Sequence, residues 1–101
     1  MVATEERAHG RAVTEVFELL GKRWQLRIIW ELRTGAATFR ELQQRCDGVS
    51  PSVLAARLQE LRDAAIIEHD DGYRLTAAGD DLLTVYQPIS DWTRKWRSPE
   101  P

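Results

Sequence analysis

The chain has 101 residues, 43 % of them hydrophobic, and a formal net charge of −2. That is enough for one domain with one modest core, and too apolar for a disordered chain. No apolar run approaches the roughly 20 residues of a membrane span. With one cysteine, no internal disulfide and a polar start that lacks a signal-peptide core, the chain reads as cytoplasmic and outside any membrane.

The first helix is expected over residues 5–20, and whether Gly10 interrupts it is left open by the pattern. Val13, Val16, Phe17 and Leu20 recur at helical spacing and make one apolar stripe. Gly21 closes it. The second helix is expected over residues 23–34 with Gly35 behind it. Trp24, Ile28 and Leu32 lie on one side of it, Leu26 and Trp30 on another, and Ile29 between them. Only Arg27 and Glu31 form a polar strip, so this helix reads as buried on several sides.

Thr38-Phe39-Arg40-Glu41 has the form of a capping box: the threonine oxygen can accept from one orphan amide, and the glutamate can reach back to another. Phe39, Leu42 and Cys46 follow toward the core, and Asp47-Gly48 ends this third helix. The fourth is expected over residues 50–64. Ser50 is its N-cap, and Pro51 stands at the first helical position, where a missing N–H costs nothing. Leu54, Leu58 and Leu61 form its buried stripe; Ser52, Ala56 and Gln59 form a small polar face, flanked by Arg57 and Glu60. Two β-like pieces, 66–69 and 73–75, join through Asp70-Asp71-Gly72. Thr76 then caps a last helix to residue 96. Along it Leu82, Val85, Tyr86, Ile89, Trp92 and Trp96 share about a third of the circumference. Pro88 should kink that helix or cost it one backbone bond. The end, 98–101, reads as frayed.

Helix, tight turn, helix, hairpin is the winged helix-turn-helix order. The fold class expected is therefore mainly α with a small β-hairpin (α+β), and the whole chain is one domain. The reading motif would occupy 38–64, the wing 66–75, and two terminal helices would serve dimerisation. The partner named by the motif is double-stranded DNA. The charge distribution allows it: Arg40, Arg45, Arg57 and Arg62 stand against Glu41, Asp47 and Glu60 in residues 38–62, whereas residues 63–101 hold eight acidic and four basic groups. A local basic face suffices for phosphate contact.

The chain resembles the HxlR-type (MarR-like) winged-helix transcription regulators over roughly residues 19–96. The resemblance is carried by Gly21-Lys22-Arg23-Trp24, Ile28-Ile29 and Leu32, then Gly35 and Thr38-Phe39-Arg40-Glu41-Leu42. It continues through Gly48-Val49-Ser50-Pro51, Leu54, Arg57-Leu58, Glu60-Leu61, Tyr73-Arg74-Leu75-Thr76, Gly79 and Trp92. It implies a homodimeric regulator with the fourth helix in the major groove and the wing near the minor groove. It puts Ser50, Ser52, Val53 and Arg57 at reading-helix positions, Arg40 at the start of helix three and Arg74 on the wing. Three departures are visible. The wing tip is acidic, position 52 is serine where relatives often carry a basic group, and the N-terminal cysteine of redox-sensing members is missing here.

Candidate DNA contacts are thus Thr38, Arg40, Ser50, Pro51, Ser52, Val53, Ala56, Arg57 and Arg74, with Gln59 as a further base reader. Glutamine can pair with adenine, and an alanine methyl can touch thymine. Val13, Phe17, Leu82, Tyr86, Ile89, Trp92 and Trp96 are candidates for a dimer interface. Trp30, Tyr86, Trp92 and Trp96 could instead, or also, line a pocket for a small aromatic effector. A protein-interaction module without DNA binding is the remaining alternative, favoured by Asp70-Asp71 and the acidic last third. Cys46 lies on the core stripe and reads as a small buried hydrophobe. His9 and His69 have no ligand-like company, so no metal is expected. No phosphate loop, nucleophile motif or triad is present, so neither a cofactor nor an enzyme is expected.

Overall fold

The computed structural model describes residues 2–98. In chain order it has α1 (Val2–Gly21), α2 (Gln25–Glu31), α3 (Phe39–Arg45), α4 (Pro51–Asp63), β1 (Ile67–His69), β2 (Tyr73–Leu75) and α5 (Ala77–Trp96). The fold is mainly helical with one antiparallel hairpin, as the sequence pattern indicates. Helix α1 starts earlier than expected and runs unbroken through Gly10. Helix α5 is also continuous through Pro88. The expected fraying of 98–101 falls, beyond Ser98, outside the described residues.

The three caps form where local chemistry asks for them. Thr38 Oγ1 accepts from the Glu41 amide at 3.1 Å, and Glu41 Oε1 accepts from the Thr38 amide at 2.8 Å. Ser50 Oγ accepts from Val53 N–H at 3.2 Å, with Pro51 behind it in the first turn. Thr76 Oγ1 accepts from Gly79 N–H at 3.2 Å and donates to the carbonyls of Ala65 and Ile66. That hydroxyl therefore both caps α5 and ties it to the segment entering the wing.

The second helix is shorter than its apolar pattern suggests. Trp24 has φ 83, a left-handed conformation, so the helix can begin only at Gln25. Leu32 is fully buried yet already outside the helix, in a turn that runs on toward Gly35. Within α2, Gln25, Ile28 and Ile29 are buried and Trp30 is half-buried, while Leu26 is exposed.

The core is made by the central elements. Ile28, Ile29 and Leu32 pack with Leu42 and Cys46, with Leu54, Leu58 and Leu61 of α4, and with Ile66 and Ile67. Each fully buried leucine contributes about 2 kcal/mol of apolar transfer. In the turn between α3 and α4, Gly48 takes φ 94, where a side chain would be strained. The hairpin pairs Ile67 with Leu75, Glu68 with Arg74 and His69 with Tyr73. Asp71, at φ 54, turns its tip. Tyr73 and Ala37 exchange two backbone bonds, 2.8 and 2.9 Å, which pin the wing to the segment before α3. Among the glycines, Gly79 sits in the tightest space. A Cβ there would lie 2.3 Å from the Ile66 carbonyl oxygen.

The radius of gyration is 15.5 Å, against about 13 Å for a compact chain of this size. Helices α1 and α5 carry exposed apolar faces outside the core.

Candidate nucleic-acid interface

The capping serine fixes how α4 presents its first turn. Ser50 and Ser52 place their hydroxyl oxygens 3.4 Å apart at the helix entrance. Pro51, Ser52 and Ala56 are exposed, and Val53 is half-buried against the core. The result is a surface of small groups and hydroxyls that a base edge can approach closely. Gln59, two turns on, bonds Asp63 Oδ1 through Nε2 at 2.8 Å, so its amide is engaged on its own helix.

The arginines divide into two kinds. Arg40 and Arg62 are exposed, and their guanidinium groups make no hydrogen bond or ion pair among the described residues. Arg40 stands in the first turn of α3, beside the Thr38 cap. Arg45 instead donates to the Glu31 carbonyl, and Arg27 donates to the Arg45 carbonyl at 2.7 Å, which together fasten α3 to α2. Arg57 is also engaged within the fold: Nε donates to the Arg23 carbonyl at 3.1 Å and Nη1 to Glu60 Oε1 at 2.7 Å. Arg74 folds back along the wing to donate to the Asp70 carbonyl. Of the three arginines expected to face DNA, Arg40 alone leaves its cationic group unengaged.

Two carboxylates are shifted by this scaffolding. The Thr38 amide, and secondarily its hydroxyl, holds Glu41 below the ordinary carboxylate range. Lys22 and then Arg57 do the same to Glu60. Both therefore stay charged at neutral pH. Cys46 is pushed the other way, because burial disfavours its thiolate. Its side chain has no exposed surface, in agreement with the core reading.

Lys22, Gln25 and Glu60 form a polar node that the sequence pattern did not single out as a site. A glutamine on an otherwise apolar helix was the available signal, since a fully buried amide needs partners.

The terminal helices expose a large apolar surface. Phe17 is 64 % exposed, and Val85, Ile89, Trp92 and Trp96 are each more than half exposed. Val13 is exposed to a lesser degree, while Leu82 and Tyr86 are half-buried. A groove of about 310 Å³ runs between α1, α2 and α5, bordered by Phe17, Leu20, Leu26, Val85, Tyr86 and Ile89, among others. The four aromatics expected to share a pocket form two separate pairs. Trp30 meets Tyr86 at 5.4 Å, and Trp92 stacks on Trp96 at 5.2 Å. Of the four, only Tyr86 borders the groove.

The chain's similarities agree with this geometry. The family model for the HxlR-like helix-turn-helix matches residues 19–101. A helix-turn-helix transcriptional regulator of Methanocaldococcus jannaschii is 32 % identical over 87 residues, covering 81 % of this chain and 82 % of the relative. The regulator YodB of Bacillus subtilis is 34 % identical over 91 residues, covering 82 % of this chain and 81 % of YodB. The crystal structure of quinone-bound YodB has a TM-score of 0.80 to this fold at 35 % identity, covering 83 % of this chain and 96 % of that one. A MarR-family regulator from Enterococcus faecalis V583 shares the fold at a TM-score of 0.78 and 21 % identity, covering 86 % of each chain. A capped helix-turn-helix with a pinned wing, matched along its length by such relatives, is that of a transcriptional regulator rather than an enzyme, and the chain belongs to the HxlR-like helix-turn-helix family.

Proposed function

We propose that the chain is a sequence-specific repressor that binds a pseudo-palindromic operator as a homodimer. The observation that carries this reading is the entrance of α4. Ser50, Ser52 and Ala56 offer a small, hydroxyl-bearing surface to base edges, and the unengaged Arg40 guanidinium at the start of α3 is available for phosphate. Thr38 and Pro51 shape the two helix starts and bring backbone toward the duplex. Arg57 and Arg74 flank this surface with their guanidinium groups held within the fold. The acidic wing tip limits phosphate contact there. The exposed apolar face of α1 and α5 supports self-association, since so large a patch on a small domain calls for a cover. A two-fold axis through those helices then sets half-sites about one helical turn apart.

The test is selection of bound duplexes from a random library at two salt concentrations. A two-fold motif, weakened by added salt and by Arg40→Ala, is the expected result. Absence of any enriched motif would overturn the reading and favour the protein-interaction alternative.

The groove beside Tyr86 favours one addition, gating by a small planar apolar effector, and the relative YodB is described as quinone-bound. A planar aromatic compound should quench tryptophan emission and loosen DNA binding, and Tyr86→Ala should abolish both effects. Quenching that persists in that variant would place the compound elsewhere.

A further inference from the structure

We propose that Glu60 is a positioning residue that fixes the orientation of the reading helix against the corner following α1, and thereby the half-site spacing the dimer accepts. This rests on the DNA-binding reading above.

The carboxylate gathers three donors from three places. Lys22 Nζ reaches Oε2 at 2.9 Å, while Gln25 Nε2 and Arg57 Nη1 reach Oε1 at 3.0 and 2.7 Å. Lys22 lies just past the end of α1, Gln25 opens α2, and Arg57 and Glu60 belong to α4. Arg57 adds a second tie, from its Nε to the Arg23 carbonyl. The reading helix is therefore bonded to residues 22, 23 and 25 of one corner.

That corner is unusual in two respects. Trp24 holds a left-handed backbone conformation, which a bulky residue keeps only when its surroundings over-determine it. Gln25 is fully buried, so its amide donor needs the Glu60 acceptor. The Gln25 bond is therefore partly buried, whereas the Lys22 and Glu60 side chains stay 46 % and 30 % exposed. Apolar packing of Leu54, Leu58 and Leu61 sets how far α4 lies from the core, but apolar contact is non-directional. Directional bonds to Glu60 resist rotation and sliding of the helix on that apolar bed. Because the corner directly follows α1, any tilt of α1 reaches α4 through this carboxylate.

The experiment uses the full chain and the duplex selected by wild type, remade with the half-sites one base pair closer and one base pair farther apart. Wild type is expected to prefer one spacing by about tenfold, and Glu60→Gln, which keeps size and one acceptor, to reduce that preference by about fivefold. The half-site sequence selected by the variant should not change, which separates mis-positioning from general damage. An unaltered spacing preference in a folded Glu60→Gln protein would overturn the inference and leave DNA binding standing. Equal binding of wild type to all three spacings would do the same. Should Glu60→Gln fail to fold by circular dichroism, Lys22→Met carries the test, since the Lys22 side chain is 46 % exposed. The same direction of change is expected, and no change would overturn the idea. A wild type that selects no two-fold motif overturns both this inference and the function beneath it.

Discussion

Between Gln25 and Ile67 lies every residue of the apolar core, while the 20-residue helices on either side bury one residue between them, Gly79, among the described residues. The central region completes its own interior. Its caps, its turn and its wing all close on neighbours within the same subunit. The terminal helices are equally regular, but each has one face on the body and another, carrying Phe17 or Trp92, turned outward. The difference teaches that regular secondary structure and sufficient burial are separate achievements. Helices α1 and α5 have the first within one chain, and leave the second to the partner subunit proposed above.

The largest expected effect breaks the outer region alone. Ile89→Asp puts a charge into the exposed apolar face, and should leave the central fold intact while lowering operator affinity about 100-fold through loss of the dimer. Sedimentation velocity and fluorescence anisotropy on the same samples check it; a dimeric variant with full affinity would refute it. Gly79→Ala attacks the seam between the regions. A methyl group 2.3 Å from the Ile66 carbonyl oxygen forces α5 off its seat, at a cost of about 3 kcal/mol in a denaturant titration. Arg40→Ala acts only on the reading surface. It should weaken binding to all sequences and flatten the salt dependence by about one unit of log–log slope, with an unchanged melting temperature.

The smallest effect concerns pH and the Glu60 node. Glu60 is depressed in the folded protein, so its contribution to stability is present above the ordinary value of 4.5 and is lost as pH falls through the lower folded value. A pair this accessible should be worth less than about 1 kcal/mol. Melting curves of wild type and Glu60→Gln should therefore differ slightly at neutral pH and converge in acid. A gap that persists in acid would show that charge is not the cause.

Much of the central region was legible in the sequence because its determinants are local. Thr38 with Glu41, Ser50 with Val53 and Thr76 with Gly79 are bonds across three residues, visible as residue types at fixed offsets. The leucine stripe of α4 follows from helical period alone. The bounds of α2 were not legible, because they depend on the left-handed Trp24 and on a buried Leu32 outside the helix. The engagement of Arg57 was missed for a related reason. Its carbonyl acceptor lies 34 residues away, and Lys22 is 38 residues from Glu60. An arginine on a helix flank looks the same in sequence whether it faces a phosphate or a distant corner of its own fold. The pairing of aromatics was half legible: Trp92 and Trp96 meet because they are one turn apart, whereas Trp30 with Tyr86 required the packing of α5 on α2.

The burial of Cys46 has a practical consequence. Its thiol is out of reach of solvent and held in the protonated form, so it should stay silent toward maleimide and nitroxide reagents. A cysteine introduced by Ser52→Cys would then be the single labelled position in each subunit. Two spin labels, one on each reading head, would let pulsed electron resonance measure the separation of the heads in solution, with the native thiol left in place.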